Sequence, residues 1–340
     1  MAEQPVQDDF TLAAAPFRGE LLAHCYRMTG SMHDAEDLVQ ETYLRAWQAY
    51  DRFQGRSSLR TWLYRIATNA CLTALDGRRR RPLPADLSAP GDGAAHLPAA
   101  RPEIGWLEPF PDALLDGAPG GDPAAVVLAR ESVRLAFVAA LQHLPPRQRA
   151  VLLLREVMQW RAAEVAEVLD TTPVAVNSIL QRARSQLDRA APAERDTTDE
   201  QGSAGDRELL DRYVTAFERK DIPALVELFT ADAVWEMPPH ETWYQGPEHI
   251  GRHLLAHCPA GPGDQRLVPV RAGGRPAFAG YLRTGGSPFR AFNLQVLTLA
   301  GGRVARAVNF LDPRLFRWFG LPETLDAPAA AAPERPRPAG

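Results

Sequence analysis

Four sets of side chains in this 340-residue chain could do chemistry, and it is the recognition of charge and of bases rather than the making of bonds. Asp34, Asp37, Gln40 and Glu41 recur at helical spacing with Leu44 and Trp47, an acidic face suited to docking on a partner. Phe53 to Ser58, Trp62, Arg65 and Asn69 set rings beside guanidinium groups, and stacking on unpaired bases is worth about 1–3 kcal/mol per base. Arg78, Arg79, Arg80 and Arg81 follow, each able to neutralise a phosphate and steepen a salt slope by about 0.9. Much later, Val174, Asn177, Ser178, Gln181, Arg182 and Ser185 fall on one helical face whose side chains can reach base edges and phosphates in a major groove.

Each set has a plainer alternative: an acidic face can be merely solvated, Trp62 can be core, and an arginine run can be a solvated tail. No GxxxxGK[ST] loop, HExxH helix or GxSxG turn occurs, so no catalytic residue is assigned. His249, His253 and His257 lie at i, i+4 and i+8 beside Cys258 and read as a solvated helix face rather than a metal site. Asp232, Trp235, Glu236, His240, Trp243 and Tyr244 are candidate pocket groups but read as structural. No cofactor and no metal are expected.

The elements that must position these groups follow from periodicity and breakers. Phe17 to Met28 reads as a buried helix with Cys25 in its core, and the acidic helix after it has Ser31 or Asp34 as its cap and a stripe of Leu38, Val39, Thr42, Tyr43 and Ala46. A polar loop, Asp51 to Ser58, precedes a helix from Leu59 to Asp76. Residues 82–123, dense in Pro, Gly and Ala, read as an extended linker with one apolar patch around Trp106 and Phe110. Helices are expected over Ala124 to Leu144, Arg147 to Met158 and Arg161 to Leu169; a fourth, capped by Thr172 with Pro173 at its first turn, runs to Asp188 on a stripe of Val176, Leu180, Ala183 and Leu187. After a second linker, 191–205, residues 206–320 read as an α+β domain and 321–340 as a disordered tail.

A net charge of −4 restricts nucleic-acid contact to local basic clusters. Three widely spaced cysteines offer no disulfide framework, and neither a secretory leader nor a run of about 18 apolar residues occurs, so a cytoplasmic protein without a membrane partner is expected.

HDAEDLVQETYLRAW followed by FQGRSSLRTWLYRIATNACLTAL resembles region 2 of the extracytoplasmic-function sigma factors of the sigma-70 class, and LPPRQRAVLLLREVMQWRAAEVAEVLDTTPVAVNSILQRARSQL is similar to their region 4. The resemblance implies two all-α modules, residues 10–81 and 124–190, that bind the β′ and β subunits of core RNA polymerase and promoter DNA. It implies core binding by Asp34, Asp37, Gln40, Glu41, Leu44 and Trp47. Capture of the melted −10 strand would fall to Phe53, Arg56, Ser57, Ser58, Arg60, Thr61, Trp62, Arg65, Asn69 and Arg78 to Arg81, with the loop selective and the arginine run a backbone clamp. Reading of the −35 element would fall to Thr172, Pro173, Val174, Asn177, Ser178, Gln181, Arg182 and Ser185. Two departures stand out: Asp170 replaces a common glycine, which Asp tolerates at positive φ, and Asn177 and Ile179 sit where cations are common, implying fewer phosphate contacts.

ELLDRYVTAFERKDIPALVELFTADAVWEMPP, YQGPEHIGRHLL and the strands after them resemble the SnoaL-like cone of the nuclear transport factor two superfamily. This implies an α+β fold enclosing a pocket. Two readings follow for it: a domain that binds a small molecule and gates the sigma modules in cis, or an enzyme acting on a small molecule. In the first, the domain packs on both modules with help from the Trp106 patch.

Overall fold

The computed structural model describes residues 10–93, 99–115, 130–190, 204–285 and 287–325. Helix α1 (Arg18–Thr29) buries Leu21, Leu22, Cys25, Tyr26 and Met28 and ends at Gly30, whose φ of 73° is left-handed. A Cβ there would stand 2.7 Å from Leu107 Cδ1, so glycine serves both the cap and a close approach. Of the two candidate caps for α2 (Met32–Ala49), Ser31 is used: its Oγ accepts from Asp34 N at 3.2 Å, and α2 buries Ala35, Leu38, Val39, Thr42 and Ala46. Helix α3 (Leu59–Leu75) is capped by Ser58 and closes the first bundle with Leu63, Tyr64, Ala67, Ala70 and Cys71.

The second bundle holds α4 (Leu135–Gln142), α5 (Pro146–Leu152), α6 (Ala162–Val168) and α7 (Pro173–Ala190). The expected helix over Arg147 to Met158 changes pitch midway, with Leu153–Val157 in a π-helical turn. Part of the helix expected over Ala124 to Leu144 lies outside the described residues; its described portion is α4. Asp170 has φ 49°, as its place in the turn required, and Thr172 Oγ1 caps α7 at Ala175 N.

The third domain has helices α8 (Ala204–Arg219), α9 (Ile222–Val226) and α10 (Pro247–His257). Its strands are β1 (Phe229–Glu236), β2 (Trp243–Gln245), β3 (Gln265–Ala272), β4 (Arg275–Leu282), β5 (Phe289–Ala300), β6 (Arg303–Phe310) and β7 (Thr324–Leu325). The sheet order is β2-β1-β6-β5-β4-β3, with β7 on β5; β1 and β6 run parallel and the other neighbours antiparallel. Period-2 alternation sends the two sheet faces to different cores. Phe278, Leu297, Val304 and Ala307 pack with α8–α10, whereas Ala277, Ala279, Tyr281, Leu294, Val296, Val308 and Phe310 join the core of the helical bundles.

Two expectations are corrected. The segment after Arg81 is not an extended spacer: Leu83, Trp106, Leu107 and Phe110 are buried, and the Pro111–Ala272 and Gly91–Tyr244 bridges tie it to the sheet. Leu83 faces Val296 and Val308 of the sheet and the Phe110 ring lies 5.0 Å from Tyr26 of α1, and burying such side chains outweighs the freedom that Pro and Gly suggest. Residues 321–325 are not part of a disordered tail either. Leu321–Leu325 are placed, with Tyr281 Oη donating to Pro322 O at 2.9 Å and Ala291 N to Glu323 O at 2.8 Å; the remainder, 326–340, lies outside the described residues. Among the described residues no helix is long and apolar enough to cross a membrane.

Candidate nucleic-acid interface

Helix α2 turns its buried stripe inward and leaves Asp37, Gln40, Leu44 and Trp47 exposed on one face, with Glu41 half-buried beside them. Leu44 is 49% and Trp47 45% exposed, a rare pairing of large apolar side chains with water that marks a contact surface. Asp34 departs from this set. It accepts from Arg78 Nη1 at 3.0 Å and Arg81 Nη2 at 2.8 Å, so an internal partner holds it.

The loop before α3 builds a ladder of rings: Tyr50 stacks on Phe53 with centroids 6.4 Å apart, and Phe53 lies 4.8 Å from Trp62. Trp62 is thus neither fully core nor free; Phe53 covers it. Arg56, Ser58, Arg65 and Asn69 are exposed, while Ser57 and Thr61 are half-buried, and the Ser58 hydroxyl is spent on capping Thr61 N at 3.0 Å. Arg60 is held back from the surface role expected of it. It donates to both Glu20 oxygens at 2.7–3.0 Å and lies over the Tyr64 ring, because Glu20 on α1 faces it across the bundle.

The arginine run does not project as a free clamp. Arg78 and Arg81 share Asp34, Arg81 also donates to Trp106 O at 3.1 Å, and Arg80 lies 2.9 Å from the His143 ring and 3.9 Å from Asp86. Burial, and then the Arg80 charge, lower the His143 pKa. Only Arg79 of the four has no acidic partner among the described residues and stands exposed.

On α7 the expected face is intact: Thr172, Pro173, Val174, Asn177, Ser178, Gln181, Arg182 and Ser185 are all exposed, Val174 at 76%. Ile179 is not on that face. It is 9% exposed and packs with Val176, Leu180 and Ala183, so its lost cation is core filling, one turn from the groove-facing side chains.

The two helical bundles touch directly. Tyr64 and Trp160 ring centroids are 5.4 Å apart, and the buried Arg149 donates to Met28 O, to Gln142 Oε1 at 2.8 Å and to Leu144 O at 3.1 Å. The third domain and the segment after Arg81 fasten this arrangement. Glu108 caps α2 from outside, accepting from Met32 N at 2.7 Å and Ser31 Oγ at 3.1 Å; burial pushes its carboxyl up, opposed by Arg81 and those bonds. Asp112, 3% exposed, accepts from Gly274 N at 2.8 Å at the tip of the β3–β4 hairpin. A Cβ on Gly273 would stand 2.6 Å from Val133 O, so only glycine lets that tip dock.

Of the groups first considered for a pocket in the third domain, Glu236, Trp243 and Tyr244 belong to this fastening. Glu236 is fully buried, accepting from Ala85 N at 2.9 Å and pairing with Arg306 at 2.7 Å. Trp243 Nε1 donates to Ser88 O at 2.8 Å, and Gly91 N to Trp243 O at 2.7 Å. Trp235 packs parallel to Phe217 in the ring-filled interior, centroids 6.3 Å apart, and Asp232 is exposed. His253 is buried against Tyr244 and His257; burial, then His257 and His240, lower its pKa to about 4. No group of three metal-type ligands is found among the described residues.

Sequence reasoning missed Glu20, Glu108, Asp112 and Arg149. A lone carboxylate inside the apolar run Trp106-Leu107-Glu108-Pro109-Phe110 was the one readable signal, since a charge in a burying segment needs a partner.

Comparison with known proteins adds three family matches: Sigma-70 region 2 over residues 15–81, Sigma-70, region 4 over 134–187, and SnoaL-like domain over 210–307. The chain is 58% identical over 318 residues to the ECF RNA polymerase sigma factor SigG of Mycobacterium tuberculosis, covering 93% of this chain and 85% of that protein. It is 27% identical over 316 residues to SigJ of the same species, covering 90% and 93%. The crystal structure of SigJ shares the fold, with a TM-score of 0.59 at 24% identity over 90% of this chain and 98% of that one.

Proposed function

We propose how this chain, which belongs to the extracytoplasmic-function RNA polymerase sigma factors, is switched by its own SnoaL-like domain. Sigma factors bind core polymerase and promoter DNA. The exposed face Asp37, Gln40, Leu44 and Trp47 of α2 docks on the β′ subunit. The Phe53–Trp62 rings with Arg56, Arg65 and Asn69 take the unpaired −10 strand, and the outer face of α7 enters the −35 major groove, with Arg182 on phosphate.

One observation carries the regulatory part: region 2 and region 4 touch, at Tyr64 and Trp160. The −10 and −35 elements lie about twenty-five base pairs apart, on the order of 80 Å at 3.4 Å per pair. Two modules in contact do not span that distance, so the arrangement is a closed state, and the third domain favours it by gripping both modules through the segment after Arg81. The ring-filled interior of that domain supports a clamp over an enzyme, and no catalytic step is assigned to it.

The test places one dye on region 2 and one on region 4 of the full chain and follows their separation on adding core polymerase, alongside run-off transcription. The dyes are expected to start close and part on binding, and Asp112→Ala with Glu236→Gln is expected to part them in the free protein and raise transcription. Dyes already far apart in the free chain, or a docking variant with unchanged separation and unchanged transcription, would overturn the closed state.

A further inference from the structure

A groove of about 810 Å³ opens where the closed arrangement brings three segments together: Arg78–Pro82 at the end of region 2, Arg101–Gly105 of the connecting segment, and Gln142–Arg149 of region 4. Its walls hold six arginines, Arg78, Arg79, Arg80, Arg81, Arg101 and Arg149, against three carboxylates, Asp34, Glu103 and Glu241, leaving a formal excess of three positive charges. The carboxylates are already engaged: Asp34 serves two arginines, and Glu103 and Glu241 both pair with Arg101. Arg79 has no acid among the described residues. Arg149, 3% exposed, is bonded only to carbonyl and amide oxygens, and its Nε finds no acceptor. A buried guanidinium without a counter-charge is costly, and an anion seated beside it removes that cost.

We propose that this groove binds a phosphate-bearing small molecule, such as a nucleotide or polyphosphate, and that the ligand holds the closed state. Guanidinium forks match phosphate oxygens bidentately, and the excess of three charges suits an anion of comparable charge. Leu75, Leu87 and Ile104 add an apolar wall for a ring, and the volume lies within the range of small-ligand sites. The site exists only while its three segments meet, so occupancy opposes opening: ligand at about a hundred times its Kd shifts the closed-to-open ratio about a hundredfold. The proposal thereby rests on the closed state described above and names its effector.

The experiment is calorimetric titration of the full chain at physiological salt with ATP, inorganic tripolyphosphate, adenosine and a ten-nucleotide thymidine strand. ATP and tripolyphosphate are expected to bind at one site and compete, and adenosine to give no heat. Arg79→Ala and Arg101→Ala, both exposed and safe for folding, are each expected to weaken ATP about tenfold, as loss of a charge-assisted bond implies, while Arg207→Ala on α8 leaves it unchanged. Absence of ATP and tripolyphosphate binding, affinity indifferent to Arg101→Ala, or a thymidine strand that binds there and is not displaced by tripolyphosphate would overturn the proposal. The two-dye distance separates the failures: dyes close without ATP heat fault the groove alone, and dyes far apart fault the closed state itself.

Discussion

The two surfaces proposed to read nucleic acid are treated differently by the fold of this chain. On α7 every side chain of the proposed groove face stands in solvent, and internal structure borrows the Thr172 cap and the Ser178 hydroxyl, which donates to Val174 O at 3.1 Å. On region 2 the basic groups are borrowed: Arg60 by Glu20, Arg78 and Arg81 by Asp34, and Arg80 against His143. The difference teaches which basic groups are already engaged: Glu20 and Asp34 hold Arg60, Arg78 and Arg81 within region 2 itself, whereas Arg80 at His143 and Arg81 at Trp106 O reach outside it.

The largest test removes the clamp's anchor. Phe110→Ala empties a fully buried ring site in the segment that grips both region 2 and the β3–β4 hairpin. A loss of about 3–5 kcal/mol in urea unfolding is expected. Single-stranded DNA binding by region 2 should rise while duplex −35 binding by α7 stays the same. If both DNA activities change alike, the contrast between the two surfaces is broken.

Asp34→Ala comes next. Freeing Arg78 and Arg81 for phosphate is expected to steepen the salt dependence of single-stranded DNA binding by about 1.4, twice the 0.7 per contact for single strands. A titration series in salt checks this, and an unchanged slope would return the arginine run to a purely structural role.

Acid should weaken both ends of the molecule. His24, in the core of region 2, has its pKa lowered to about 3 by burial and then by Arg27, and His253 in the third domain sits at about 4. Both lie below the ordinary 6.5 of the unfolded chain, so the unfolded state takes up protons first and stability falls as pH drops through 6.5 toward those values. Between pH 7 and 5.5 each is expected to remove about 1 kcal/mol, read by urea unfolding. His24→Gln and His253→Gln should each abolish one share. The smallest effect is expected from Arg182→Ala, exposed on α7: the salt slope for duplex DNA falls by about 0.9 with no change in unfolding.

The helices and their outward faces were legible because their signals are local. Ser31, Ser58, Thr172 and Pro173 announce helix starts, and the stripes Leu38-Val39-Thr42 and Val176-Leu180-Ala183 give the period. What could not be read was who occupies a side chain from a distance. Glu20 lies 40 residues from Arg60 and Glu236 lies 151 from Ala85, and no local pattern encodes such pairs. The connecting segment misled for the same reason: its Pro and Gly content describes local stiffness, and its burial depends on Tyr26 of α1 and on a sheet that comes more than 100 residues later. Ile179 was placed by family position, whereas the neighbouring stripe claimed it for the core.

One face of the third domain's sheet shares its core with the sigma modules, and this bears on the proposed switch. Ala277, Ala279, Tyr281, Leu294, Val296, Val308 and Phe310 are buried in one core with the sigma modules, the connecting segment and the turn Pro313–Phe319, whose Phe316 ring lies 5.1 Å from Tyr281. Pulling the domain away bares that aliphatic surface, at about 25 cal/mol for every Å² wetted. Under the proposed switch, opening would therefore be an exchange of neighbours rather than a release: the polymerase would take up the sigma modules as the domain lets go, and a chain opened without it would be adhesive and short-lived.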